Sequence, residues 1–365
     1  MSMLVKKRFE FVDIAKGICI LLIIRGHINY SFFPKWVNEN EFYTIWYVSG
    51  FYLIGGFFLK EADLLNPKVL LKKKIPALYL KSLYFFLPAT LLHNYLLQIG
   101  YYPASIKPFI TLSDWGRALG KVFMGMSFEK LVEPLWFALA LFYGLVFLSI
   151  MAYGLKSINK YSHLNMFIVS LIACAISGYI SNYTDIHFPP RIATAVSSTV
   201  LIYLGYLIFN SSYKSFNNKC IFVISLVILL SYTYTIGAAP GLLIGMIINE
   251  YPDIITLLVG TLAGVYFICY LSCYLEHSVL GVILAHCGKE SFYLMALHIM
   301  FIRLLAILLS KYPICGISID DFTFNTNFIG FFILFLGSIV LTFISITLVR
   351  RIKRLICKIG YCDEP

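Results

Sequence analysis

Long apolar runs alternate with short polar segments along the whole chain. Most runs have about the 20 residues that a helix needs to cross a bilayer. Ten spans are expected near 11–32, 42–59, 76–99, 134–154, 164–181, 192–209, 220–236, 254–275, 290–309 and 328–348. The pattern predicts an all-α integral membrane protein with about ten transmembrane helices in one domain, and no fused extracytoplasmic domain. Two stretches interrupt it. Residues 237–253 are apolar but broken by Pro240, Gly241, Gly245 and Pro252, which suits a re-entrant segment. Residues 100–133 are longer and semi-polar, and are expected to form an outer or interfacial loop.

Composition agrees with this class. Apolar residues make up 60% of the chain and charged residues 13%, against about 25% charged in soluble domains. The net charge of +11 could suggest nucleic acid. The basic residues instead sit in short segments between apolar runs, as the loop-charge rule of membrane topology requires. With Lys6, Lys7 and Arg8 before the first span, Lys72 to Lys74 before the third and Arg350 to Arg354 after the tenth, both termini are expected on the cytoplasmic side. Nine cysteines are scattered without disulfide or metal-ligand spacing, so no metal site is expected.

The first span carries Asp13, Lys16, Arg25 and His27. At about 100° per residue, Asp13, Lys16 and His27 fall within about 60° of one another. Lys16 and His27 are about 16 Å apart along the axis. A polar stripe in hydrocarbon is costly, so it should face the bundle interior or a wet cavity. His27 is the group best suited to take a proton near neutral pH. The plainer alternative is that Asp13 and Lys16 anchor the helix end and His27 is a satisfied core histidine. Arg25 lies about 160° round from His27 and has no evident chemical role.

A second stripe lies in the ninth span, where Ser291 and His298 are seven residues apart and share a face. Gly288 and the acidic Glu290 are expected to mark the start of that helix. Taken alone, His298 suits packing as well as catalysis. Two buried histidines in one bundle suggest a proton-handling cavity.

Other polar features are less specific. Lys72, Lys73 and Lys74 suit either a topological anchor or phosphate binding. Lys81 is expected to share a face with Lys74. Glu133 and Trp136 open the fourth span, while His93, Asn94, Asp185 and Arg191 could line an outer mouth.

Together these residues resemble the membrane acyltransferase family 3, in particular its fucose 4-O-acetylase-like branch. The resemblance rests on the opening Arg8-Phe9-Glu10-Phe11-Val12-Asp13-Ile14-Ala15-Lys16-Gly17, the Gly26-His27 pair, and the spacing of a basic residue, ten residues and histidine met by Lys16 and His27. It extends to Ser49-Gly50, Gly55-Gly56-Phe57-Phe58, the basic run before Pro76, Leu135-Trp136-Phe137, and Gly288-Lys289-Glu290-Ser291 through His298. It covers nearly the whole chain and matches the ten-span layout. Arg25 departs from it, standing where an apolar residue is usual.

The resemblance implies an O-acetyltransferase of the bacterial inner membrane. It would move acetyl from cytoplasmic acetyl-CoA to a sugar hydroxyl of a lipid-linked glycan, exopolysaccharide or O-antigen, with no permanently bound cofactor. In that chemistry His27 would be the general base, and Asp13 and Lys16 would tune the donor path. Lys72, Lys73, Lys74 and Lys81 would hold the CoA phosphates. Ser291 and His298 would orient the acceptor or stabilise the oxyanion. Trp136, His93 and Glu133 would contact the acceptor. An acyl-histidine intermediate is a variant of the direct transfer. A transporter or flippase for a glycan or small solute, or a non-catalytic scaffold, remains an alternative reading of the same polar stripes.

Overall fold

The computed structural model describes residues 9–32, 42, 44–125, 129–184, 190–211, 216–238 and 245–358. Lys6, Lys7, Arg8, Asp185, Pro240 and Gly241 lie outside them, so the re-entrant expectation for 237–253 falls partly beyond the described residues.

Each predicted span contains helix. The first two are α1 (Glu10–Gly26) and α2 (Tyr47–Gly56). A short α3 (Glu61–Leu64) leads to a continuous helical stretch made of α4 (Pro67–Lys74), a π-helical segment (Ile75–Leu80) and α5 (Lys81–Leu91), followed by α6 (His93–Gln98). The loop between α6 and the next span holds α7 (Leu112–Phe123). A 3-10 turn (Lys130–Leu135) runs into α8 (Trp136–Ser157), then α9 (His163–Tyr183), α10 (Pro190–Asn210) and α11 (Lys219–Ala238). Next come α12 (Ile254–Leu275), α13 (Val279–Lys289) and α14 (Ser291–Leu309). A two-stranded antiparallel ribbon, β1 (Ser318–Asp320) with β2 (Thr323–Asn325), precedes α15 (Phe328–Lys358).

Among the described residues, six helices are long and apolar enough to cross a membrane. This makes the chain a helical multi-pass membrane protein. Local sequence sets several helix starts. Asp253 accepts from the Thr256 amide at 2.7 Å to open α12, and Ser278 does the same for Gly281 at 2.9 Å to open α13. Such caps satisfy amide groups that have no partner inside the helix.

The centre of the bundle is built from α1, α2, α8, α10, α12 and α14. The apolar stretches of α10 and α8 are 72% and 67% buried, whereas those of α9 and α15 are 28% and 22% buried and turn aliphatic faces outward. Close approach depends on small residues. A β-carbon at Gly288 would lie 1.8 Å from the Asp13 carbonyl oxygen, and one at Gly17 would lie 2.0 Å from that of Leu284. Nothing larger than glycine lets the α1 and α13 backbones touch in this way, a packing mode common between membrane helices.

The structure adds an element between the eighth and ninth predicted spans. Residues 279–289 form α13, an apolar helix laid against α1. Gly288 lies in the last turn of that helix, which ends at Lys289. Glu290 marks the start of α14 as its N-cap residue, and its carboxylate accepts from Arg350 Nη2 at 2.8 and 2.9 Å. The β1–β2 ribbon is a feature that the apolar pattern does not announce.

Candidate active site

Eleven residues of α1 separate two ends of the site, and α14 runs beside α1 to connect them. At one end the His27 and His298 rings face each other with centroids 5.0 Å apart at a 49° tilt. His298 is fully buried. Its Nδ1 lies 2.7 Å from the Leu294 carbonyl. A carbonyl only accepts, so the proton is on Nδ1 and Nε2 carries a lone pair. That Nε2 is buried without a hydrogen-bond partner. His27 is half-buried at the last turn of α1. The first-span and ninth-span stripes therefore do meet, histidine to histidine.

The chain just beyond His27 is held by the ribbon. The Asn29 amide donates to the Phe324 carbonyl at 2.9 Å, and the Asn29 side chain donates to Asn325. Arg303 is buried on α14. It donates to the Asp321 carbonyl at 2.5 Å and to the Tyr101 carbonyl, and its guanidinium lies 4.7 Å from the Phe322 ring centre. One cation thus ties the 100–105 loop and the ribbon to the helix that carries His298. Arg25 is explained in the same way. Its Nη2 donates to the Tyr30 carbonyl at 2.8 Å, pinning the turn after α1.

At the other end a cavity of about 270 Å³ is lined by Lys16, Lys74 and Ser291, with Phe51, Phe137 and Met295 among its apolar walls. Lys16 pairs with buried Asp13 at 3.1 Å. The basic run does not present one face to this cavity. Lys74 lines it, Lys73 pairs with Asp63 at 2.5 Å, and Lys72 points outward. Lys81 is not itself part of the lining, but its ammonium lies 4.2 Å from the ring centres of Tyr293 and of Phe292, one of the cavity walls. The intervening π-helical segment Ile75–Leu80 winds more residues per turn than an α-helix, so the seven-residue spacing no longer selects one face.

The loop side of the histidines is polar. His93 stacks on Phe109 at 3.9 Å. Its Nδ1 lies 3.1 Å from Glu129 Oε1 and its Nε2 3.0 Å from the Lys107 carbonyl. Tyr102 donates to the same carboxylate at 2.7 Å. Burial and then the Glu129 charge hold the Tyr102 hydroxyl above the usual tyrosine range. Lys130 pairs with Glu133 at 3.1 Å. Trp136 is buried under the Arg191 guanidinium, whose carbon lies 5.2 Å from the ring centre. His93 thus faces the loop cavity, while Glu133 and Trp136 stand behind Lys130. Among the described residues no group of three or more His, Cys, Asp or Glu side chains forms a metal-ligand cluster.

Comparison with known proteins decides the family. The family model described as an acyltransferase domain, acyltransferase family 3, matches residues 9–347. The chain belongs to that family. No curated protein and no solved structure matches it.

For a membrane acyltransferase, the arrangement separates a cationic cavity from a histidine pair along one helix. Sequence reasoning missed several polar groups here. Glu129 is buried as the shared acceptor of His93 and Tyr102. The Tyr52 hydroxyl and Thr90 Oγ1 are buried without hydrogen-bond partners. A lone tyrosine or threonine in an apolar run gives no signal of this kind. Glu129 could have been flagged, because a carboxylate just before a span needs a partner.

Proposed function

We propose that this acyltransferase moves an acetyl group from cytoplasmic acetyl-CoA to a sugar hydroxyl of a cell-surface glycan or its lipid-linked precursor, in a bacterial inner membrane. The observation that carries the reading is the meeting of His27 and His298, with a buried acceptor nitrogen left open on His298.

The donor is assigned to the cavity of Lys16, Lys74 and Ser291. At about 270 Å³ it suits the narrow arm of CoA rather than the whole molecule, which leaves the phosphates at the Lys74 mouth. Clustered cations at a membrane surface attract such anions. From Lys16 the helix rises about 16 Å to His27, and an extended thioester arm would lie along that path.

At the far end His27 removes the proton from the acceptor hydroxyl as its oxygen attacks the thioester carbonyl. The tetrahedral intermediate collapses with cleavage of the C–S bond. The CoA thiolate leaves and takes the proton back from the imidazolium. A positioned base of this kind contributes about 10²–10⁴-fold. His298 fits orientation of the acceptor better than oxyanion stabilisation. Its one proton is committed to Leu294, so Nε2 accepts from a hydroxyl or from the His27 ring. Membranes incubated with acetyl-labelled CoA test the reading. Label should appear in glycan or lipid-linked sugar, whereas a transporter or flippase would leave it in CoA.

A further inference from the structure

A second and larger cavity, about 680 Å³, opens on the loop side of the histidine pair. Its walls bring together α5, the 106–110 loop and α7. Four features set its chemistry.

The first is charge. Lys107, Arg117, Lys121 and Lys130 line it against only two carboxylates, Asp114 and Glu129. Arg117 is paired with Asp114 and Lys130 with Glu133, and the lining as a whole holds two more cations than carboxylates. The second is a buried polar group with nothing to bind. Thr90 lines the cavity, is 1% exposed, and its Oγ1 has no hydrogen-bond partner. A hydroxyl held in that state is stabilised by an incoming hydroxyl group. The third is a flat aromatic wall. Phe109 and His93 stack at 8°, and Trp115 meets Phe109 edge-on at 5.2 Å. The fourth is position. Lys130 lines this cavity and begins the 3-10 turn Lys130–Leu135, which packs against α14, the helix that carries His298.

We propose that this cavity is the acceptor site and that it takes an anionic sugar, one bearing a phosphate or a carboxylate. This rests on the acyltransferase reading above and narrows its substrate class. Lys107, Arg117 and Lys121 face the charge, Thr90 meets a ring hydroxyl, and the Phe109–His93 wall covers the sugar face. Ile110, which lines the cavity, and the nearby Leu112 are 81% and 89% exposed, an apolar edge that suits a lipid-linked acceptor. The negative charge has two sources, a lipid phosphate or an acid group within the glycan.

Binding of glucose 1-phosphate, glucuronic acid and glucose to the full chain in nanodiscs, read by saturation-transfer NMR, tests the site without relying on turnover. Both anionic sugars should bind at least about tenfold more tightly than glucose, with a preference that shrinks in high salt. The double variant Lys107→Gln/Lys121→Gln should abolish that preference while leaving CoA binding unchanged. Thr90→Val should weaken all three sugars together, and Thr90→Ser should restore them. A decyl-phosphate-linked glucose separates the sources. A further gain assigns the charge to a lipid phosphate, and equal binding assigns it to the glycan itself.

Equal affinity for charged and neutral sugars, or a preference that survives the double variant, overturns the proposal even if acetyl transfer is found. Charge-selective binding without any transfer of label from acetyl-CoA keeps the anionic-sugar site and overturns the acetyltransferase reading instead.

Discussion

The His298 ring lies 5.0 Å from the His27 ring, centre to centre, with its Nδ1 spent on the Leu294 carbonyl one helical turn below and its Nε2 left without a partner. An imidazole fixed in this way can accept a proton or a hydroxyl but cannot donate. Replacing His298 by alanine should lower turnover by about 10²-fold or more with little change in KM for acetyl-CoA, since the donor cavity lies at the other end of α1. Steady-state kinetics on membranes checks this. A rise in KM with turnover intact would place His298 on the donor path.

The lysine run separates by function. Lys74 lines the cavity with Lys16 and Ser291, whereas Lys72 faces away. Lys74→Gln should raise KM for acetyl-CoA by about tenfold, the order expected for losing one charge-assisted phosphate contact. Lys72→Gln should change it less than about twofold, as for an exposed charge. Equal effects from both substitutions would point to a diffuse electrostatic role.

Much of this was legible in the chain. Apolar runs locate the helices, and α12 spans the predicted 254–275. Helical spacing put Asp13, Lys16 and His27 on one stripe and Ser291 and His298 on another, and these stripes meet. What was not legible depends on three-dimensional neighbours. The π-helical segment changes the angular register between Lys74 and Lys81, and within Ile75–Leu80 only Pro76 marks the spot. The helix α13 is hidden because its own sequence is short and follows the His277–Ser278 turn. Its partner is α1, far away in the chain, and only the Gly17 and Gly288 contacts reveal the fit. Arg25 looked anomalous because its partner, the Tyr30 carbonyl, is main chain and carries no sequence signature.

That α1–α13 contact makes a stability prediction. The β-carbon of Gly288→Ala would overlap the Asp13 carbonyl, which is backbone and cannot swing aside. The helices must separate, at a cost of about 1–3 kcal/mol. The melting temperature in detergent should fall, and the Asp13–Lys16 pair should shift with it. An unchanged melting temperature would show that α13 is free to slide.

The start of α7 should respond to acid. Asp114 accepts from the Thr111 amide at 2.9 Å and from its hydroxyl at 2.8 Å, and Arg117 lies 3.1 Å away. These bonds, the Thr111 amide first, hold the carboxyl below its usual range. A folded-state pKa below the unfolded one gives stability that is fully present above the ordinary aspartate value, about 3.9. That stability is lost as the pH falls through the lower folded value. Hydrogen exchange of the first α7 amides should therefore quicken at the acidic end of that window. Asp114→Asn should remove the pH step. A step that persists in the variant would assign it to another group.

The central claim is that an imidazole at position 27 activates the acceptor hydroxyl inside the bundle. The most direct measurement is acetyl transfer from labelled acetyl-CoA to membrane glycan by His27→Ala, beside the unaltered chain at matched amounts. The account predicts transfer reduced by about 10³-fold, with insertion and CoA binding retained. Transfer at the unaltered rate would contradict it.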